Sequence, residues 1–214
     1  MKKFVFLVCA LTLVAAGCGS KPAANTPAAS TSPAKPAAST STASASPKAE
    51  KKAPSTNPVP ADWIRMHDDA KGYEFQVPQG TKDAQETKDG VDVYMANVPA
   101  PYEIAVMVVA FKDAKASKED LLKRAENVLK AFGDKDIKME ALKELSDDYS
   151  IVTFTSTGDD GKPGKGKILV ATDVTDNYIM FVGGAADKFA SNEKTIDEIW
   201  GSFGMYSGGY SGNS

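Results

Sequence analysis

From Lys21 to Pro60 the chain has almost nothing to fold with: of 40 residues, 31 are Ala, Pro, Ser or Thr, none is aromatic, and the one larger aliphatic is Val59. A stretch that buries so little cannot offset the entropy lost on ordering, so residues 18–60 are expected to be a lipidated N-terminus followed by a disordered linker. Coil and polyproline limits put the linker's span between about 40 Å and about 130 Å. A compact domain must therefore come from Ala61 to Tyr206, because Ser207 to Ser214 returns to mostly Gly and Ser and reads as a disordered tail. A segment of that length buries roughly two thirds of its unfolded surface.

The other end of the linker explains why a chain would carry one. Lys2 and Lys3 precede an apolar run, Phe4 to Ala16, which ends in the small residues Ala15-Ala16-Gly17-Cys18. That run falls short of the roughly 20 apolar residues of a spanning helix and has the three parts of a secretory signal. The last four residues look like a lipobox, so residues 1–17 are expected to be a lipoprotein signal peptide, with Cys18 lipidated, palmitate among its acyl chains, and at the mature N-terminus. An ordinary secreted protein cut nearby and an uncut anchor are the competing readings. Cys9 lies in the removed segment, which leaves Cys18 as the only cysteine, with no disulfide, cysteine metal site or thiol nucleophile available to the domain. Two or more acyl chains hold a protein on a bilayer essentially permanently. Gly19 stands where an inner-membrane lipoprotein often carries Asp, so the expected location is the outer membrane facing the periplasm, or the cell surface where there is one membrane.

Charge changes at the same boundary. The linker holds five Lys and one Glu, whereas Ala61 to Ser214 holds 18 Lys plus Arg against 27 Asp plus Glu, a balance of −9. An acidic domain is repelled by nucleic acid, which is excluded as an expected partner.

Within the domain strand patterns dominate. Ile64 to His67 and Tyr73 to Val77 flank the turn Asp68-Asp69-Ala70-Lys71-Gly72; Val91 to Val98 alternates; Tyr102 to Phe111 is an apolar run suited to a central strand covered on both faces. Ile137 to Leu145, Tyr149 to Ser156, Lys167 to Val174 and Tyr178 to Val182 follow, separated by Asp- and Gly-rich turns. One helix is expected from an N-cap at Ser117, with Asp120 three residues on, to a stop at Gly133, with Leu121, Leu122, Ala125, Val128, Leu129 and Phe132 on one face. A second, about Ser191 to Phe203, places Ile196, Ile199, Trp200 and Phe203 at helical spacing. Hairpin-linked strands cannot build a parallel doubly wound sheet, so the expected class is α+β, an antiparallel sheet flanked by helices.

Chemistry-bearing motifs are few. Gly161-Lys162-Pro163-Gly164-Lys165-Gly166-Lys167 satisfies half of a phosphate-binding loop, but that chemistry needs a following helix and a Ser or Thr, and here Ile168 opens a strand. The pairs Asp68-Asp69, Asp147-Asp148 and Asp159-Asp160 lack the alternating ligands of a calcium loop and read as turns. His67 is the only histidine, and no GxSxG elbow accompanies it. Paired carboxylates stay open, since their spacing is set by the fold. No catalytic residue, metal site or cofactor is assigned.

Gly72-Tyr73-Glu74-Phe75-Gln76-Val77-Pro78, then Asn192-Glu193 with Ile196, Ile199, Ser202 and Phe203, resemble the PsbP-like family, which includes bacterial DcrB-like lipoproteins. The resemblance spans about Trp63 to Tyr206. It implies an α/β/α sandwich and an accessory or binding role without an active site to carry over. Three readings remain. The first is a lipid-anchored, non-catalytic interaction module of the bacterial cell envelope, held on the membrane through Cys18 and meeting a protein or cell-envelope partner. The second is a small-ligand or metal-binding lipoprotein, and the third a carboxylate-based hydrolase.

Overall fold

A computed structural model describes residues 51–52, 59–88, 90–112 and 116–206. The expected signal peptide, Cys18, most of the expected linker and the tail from Ser207 lie outside the described residues.

Two antiparallel sheets form. The larger runs β4 (Lys82–Lys88), β5 (Val91–Val98), β6 (Ile104–Phe111), β11 (Asn177–Ala185), β10 (Pro163–Thr172), β9 (Tyr149–Thr157) and β7 (Lys135–Met139), with β8 (Lys143–Glu144) also paired to β9. The smaller has the order β1 (Lys51–Lys52), β12 (Gly204–Tyr206), β3 (Tyr73–Val77), β2 (Ile64–Asp68). The single sheet expected from the hairpin pattern is thus two, because the chain's last strand returns beside β3 and not beside the long hairpins. Lys51↔Tyr206 and Lys52↔Met205 pair inside the stretch expected as linker, so the fold begins to draw on the chain ten residues before Ala61.

The apolar run of β6 sits between β5 and β11 and is covered on both faces, as expected. Val106 and Val108 join one core cluster, Met107 and Val109 the other. Helix α1 (Lys118–Ala131) closes the second cluster with Leu121, Ala125, Val128 and Leu129. Its start is the expected capping arrangement: the Asp120 N–H donates to Ser117 Oγ at 3.1 Å, and Ser117 Oγ donates to Asp120 Oδ2 at 3.0 Å, which holds that carboxyl below its usual range. Gly133 stops it with φ +102°. Helix α2 (Ala186–Gly201) covers the first cluster with Phe189, Ile196 and Ile199, together with the small sheet. It begins five residues before Ser191, directly off β11, with no side-chain cap. The layers are therefore α1, the large sheet, then α2 beside the small sheet.

β12 pairs with β3 only at Gly204↔Glu74 and Met205↔Tyr73. Farther along β3, the Gln76 N–H donates instead to Ser202 Oγ at 2.8 Å, while Ser202 Oγ donates to the Ile199 carbonyl at 2.7 Å. One hydroxyl replaces a missing strand. Ser202→Ala should destabilise the domain by about 1–3 kcal/mol, the cost of stranding a buried donor; an unchanged denaturation midpoint would show that water takes its place.

Candidate functional site

The residues that carry the PsbP-like resemblance are occupied in building the fold. Tyr73, Phe75 and Val77 are wholly buried on β3, Glu74 pairs with Arg65 across the hairpin, and Gly72 takes φ +74° to close the turn. Asn192, buried on α2, donates from Nδ2 to the Tyr102 carbonyl at 2.8 Å and so ties the helix to the β5–β6 turn. Beside that contact lies a shallow depression lined by Tyr102, Glu103, Gly184, Lys188 and Ile196, whose interior does not admit a water molecule. Lys188 Nζ sits 3.0 Å from Glu103 Oε2 across its mouth.

The motifs singled out in the sequence fall into turns and strands. Lys162 and Asp160 make an Asx turn, with the Lys162 N–H donating to Asp160 Oδ1 at 3.0 Å, and β10 starts at Pro163, so the glycine-lysine run enters a strand and cradles no phosphate. Asp68 likewise accepts from the Lys71 N–H at 3.0 Å. The Asp148 carbonyl accepts from the Thr172 N–H at 2.9 Å, which joins the β8–β9 and β10–β11 turns. His67 Nε2 lies 3.7 Å from Asp69 Oδ2 at an exposed hairpin end. Among the described residues, no group of three or more His, Cys, Asp or Glu converges on a metal position.

One carboxyl stands apart electrostatically. Asp134 follows α1 and accepts from Ser156 Oγ at 2.6 Å; burial raises its pKa, the Ser156 bond opposes that, and Asp159 adds to the rise. Asp159 is bridged to Lys135 at 3.4 Å in a surface position. Because folding raises the Asp134 pKa, its ionised form weakens the fold above that pKa, and the penalty vanishes as pH falls below the unfolded value. Asp134→Asn, which keeps an acceptor for Ser156, should therefore raise the melting midpoint at neutral pH, with the gain shrinking toward about pH 3, below the usual Asp range. A lower midpoint at neutral pH would contradict the assignment.

Charge is segregated in a way that sequence counting hides. The turns β2–β3, β8–β9 and β10–β11 gather Asp68, Asp148, Asp173 and Asp176 around the Tyr149 and Tyr178 hydroxyls, both raised in pKa chiefly by burial and further by these carboxylates. On the α2 side of the large sheet, toward β7, three lysines share a face with Glu140, whose N–H donates to the Thr153 carbonyl at 2.9 Å. Lys138, Thr155 and Lys165 stand in one cross-strand row, Lys138↔Thr155 and Thr155↔Lys165, so their side chains share a face. Lys143 opposes Ile151 two rows along, on that same face. Its neighbour Glu144 points the other way and meets Lys118 of α1 at 3.5 Å, which fixes the assignment. Lys138, Lys143 and Thr155 are exposed, and Lys165 is half-buried with Nζ 4.7 Å over the Phe189 ring. None of these three lysines has a carboxylate partner among the described residues, unlike Lys167, which is held by Asp197 and by Glu193. This face was not legible in advance, because its lysines are 27 positions apart in sequence and meet only through strand register.

No protein-family model and no curated protein matches the chain. Solved structures do. The solution structure of cyanobacterial PsbP (CyanoP) from Synechocystis sp. PCC 6803 superposes with TM-score 0.51 at 17% identity, over 69% of this chain and 95% of that one. A Bacteroides thetaiotaomicron structure gives 0.45 at 9% identity, over 69% of this chain and 50% of that one. LpqN of Mycobacterium tuberculosis, involved in cell envelope biogenesis, gives 0.38 at 13% identity, over 76% and 87%. The last two superpose too loosely for a common architecture to be read from them. With the antiparallel sheets, two helices and element order described above, the first superposition gives the chain a PsbP-like α+β fold.

Proposed function

We infer that the protein is a lipid-anchored, non-catalytic interaction module of the bacterial cell envelope, exported by residues 1–17, tethered through Cys18, and placed on the outer membrane facing the periplasm or on the cell surface. The observation that carries this reading is where the domain's hydrogen-bonding side chains go: Asn192 to the Tyr102 carbonyl, Ser202 to Gln76 and Ser156 to Asp134 all hold one element to another. With these groups committed to the scaffold, the solvent-facing charge pattern is what remains to recognise something else. A small-ligand role would need a concave, apolar pocket, whereas the depression beside α2 admits no water.

A tethered domain searches only the volume its leash permits, where its effective concentration makes weak contacts count. Cys18→Ser should shift the protein wholly from the detergent phase to the aqueous phase in cell fractionation; partition like the wild type would remove the anchor from the proposal. Crosslinking in intact cells should give a specific adduct with the full chain and lose it when the linker is cut to about ten residues, whose coil span is roughly 20 Å. Turnover of a substrate by the purified protein in an unbiased metabolite screen would replace the reading with an enzyme.

A further inference from the structure

We propose that β4, the outer strand of the large sheet, is where a second copy of this chain docks, edge to edge and antiparallel, about a twofold axis at Ala84. The inference rests on the reading of the chain as a tethered interaction module and names another copy of itself as a partner.

An edge strand turns half of its backbone N–H and C=O groups away from the sheet, and folds blunt such edges with bulges, short strands or cover. The β7 edge of the large sheet is blunted: its pairing with β9 shifts between Lys135 and Lys138, and Asp136 takes φ +50°. The β4 edge is not. Its seven residues pair with β5 without a break, from Lys82↔Asn97 to Lys88↔Val91, and five of the seven are exposed.

Charge along the strand decides what can continue the ladder. In an antiparallel pair, residues that point their backbone groups across oppose one another, and they alternate with residues that point away. One alternate set on β4 faces β5. Two copies can therefore pair through the other set only where opposed positions sum to an even number, which places a residue on the twofold axis. An axis at Lys82, Asp83, Glu86 or Lys88 opposes that charge to its own copy, and an axis at Gln85 opposes Lys82 to Lys88. At Thr87 only three strand residues overlap. An axis at Ala84 avoids all of these conflicts: Lys82 faces Glu86 twice, Asp83 faces Gln85 twice, and the side chain on the axis is small. Within one strand Lys82 and Glu86 lie about 13 Å apart, too far to pair with each other, so each meets its opposite charge only across the axis. A single pair of strands buries less than the about 1,200 Å² at which specific complexes become stable in solution. Confinement of both copies on one membrane is what makes the pairing count.

The test oxidises full-length lipidated protein carrying one added cysteine on β4, in phosphatidylcholine vesicles, with the native chain as background for any contribution of Cys18. Ala84→Cys should give a disulfide-linked dimer, because residues on the axis stand about 4.5–5.5 Å apart, inside the range a disulfide spans. Gln85→Cys and Glu86→Cys, displaced to about 8 Å and beyond, should give at least about fivefold less. Added to Ala84→Cys, Lys82→Glu should cut the yield at least about fivefold by opposing Glu to Glu, and Lys82→Glu/Glu86→Lys should restore it to within about twofold. A dimer strongest at Gln85→Cys or Glu86→Cys overturns the proposal. So does a charge swap that fails to restore the dimer in protein that melts like the native, or capture of a different protein by Ala84→Cys in cells with no self-dimer. If no β4 cysteine crosslinks to its copy while the linker-dependent adduct in cells persists, the module reading stands and this edge is wrong. If the charge-dependent Ala84→Cys dimer forms while no adduct in cells depends on the linker, the edge stands and the module reading falls.

Discussion

Phe203→Ala is expected to lower the unfolding free energy by about 3–5 kcal/mol, the cost of truncating a buried aromatic residue. Phe203 follows α2, stacks on Tyr73 of β3 with ring centroids 5.9 Å apart, and meets Tyr178 of β11 edge-on at 5.7 Å. One ring thus joins the helix, the small sheet and the large sheet, and Tyr73 extends the cluster to Tyr94 of β5 at 6.3 Å. No smaller side chain reaches all three. A domain of ordinary stability has only about 5–15 kcal/mol in total, so this substitution takes a large share of it. Urea unfolding followed by the fluorescence of Trp63 and Trp200 should show a much lower midpoint with an unchanged slope. A loss under about 1 kcal/mol would mean that the small sheet is held by something other than this cluster.

Gly183→Ala should cost nearly as much, about 2–3 kcal/mol, for the opposite reason: it adds an atom where none fits. A Cβ at Gly183 would stand 2.6 Å from the Lys165 carbonyl oxygen and 2.7 Å from Gly166 Cα, its cross-strand partner on β10. Both obstacles are backbone in the middle of the large sheet and cannot swing aside. Gly161→Ala is the informative control. That glycine has φ +80° with nothing within 4 Å of the added atom, so only the left-handed conformation is penalised, about 1 kcal/mol. If the two variants melt alike, β10 and β11 are not as tightly apposed as their register implies.

Local signals were legible wherever the sequence itself carried the stabilising interaction. Ser117, Asp120 and Gly133 bracket α1 because a cap and a stop are made by neighbours in the chain. The β6 run was readable because both of its faces are buried. Strand β4 was not, since its sequence Lys82-Asp-Ala-Gln-Glu-Thr-Lys88 has no apolar alternation and is strand only through pairing with β5 at a sheet edge. The early start of α2 was hidden for a related reason: β11 feeds straight into it, and Ala185 provides no capping side chain to announce it. Gly164 to Gly166 read as part of a turn because glycine weakens a strand. Here Gly166 is required by the Phe154 ring and the Val182 carbonyl, which leave no space for a Cβ. The lysine face failed to register for a more general reason. Charge counts sum over a domain, whereas a surface is defined by which strands lie side by side, and β7 reaches β9 only across an irregular register between Lys135 and Lys138.

The two-residue strand β1 also determines where a pull would enter the fold. Tension on the chain from its N-terminal side arrives first at the pairing of Lys51 and Lys52 with β12, not at Trp63. So short an antiparallel contact opens rung by rung and resists far less than the cluster around Phe203. Only after it opens does the load reach the hairpin of β2 and β3. The edge of the small sheet is therefore the first contact of the domain to yield under such a load.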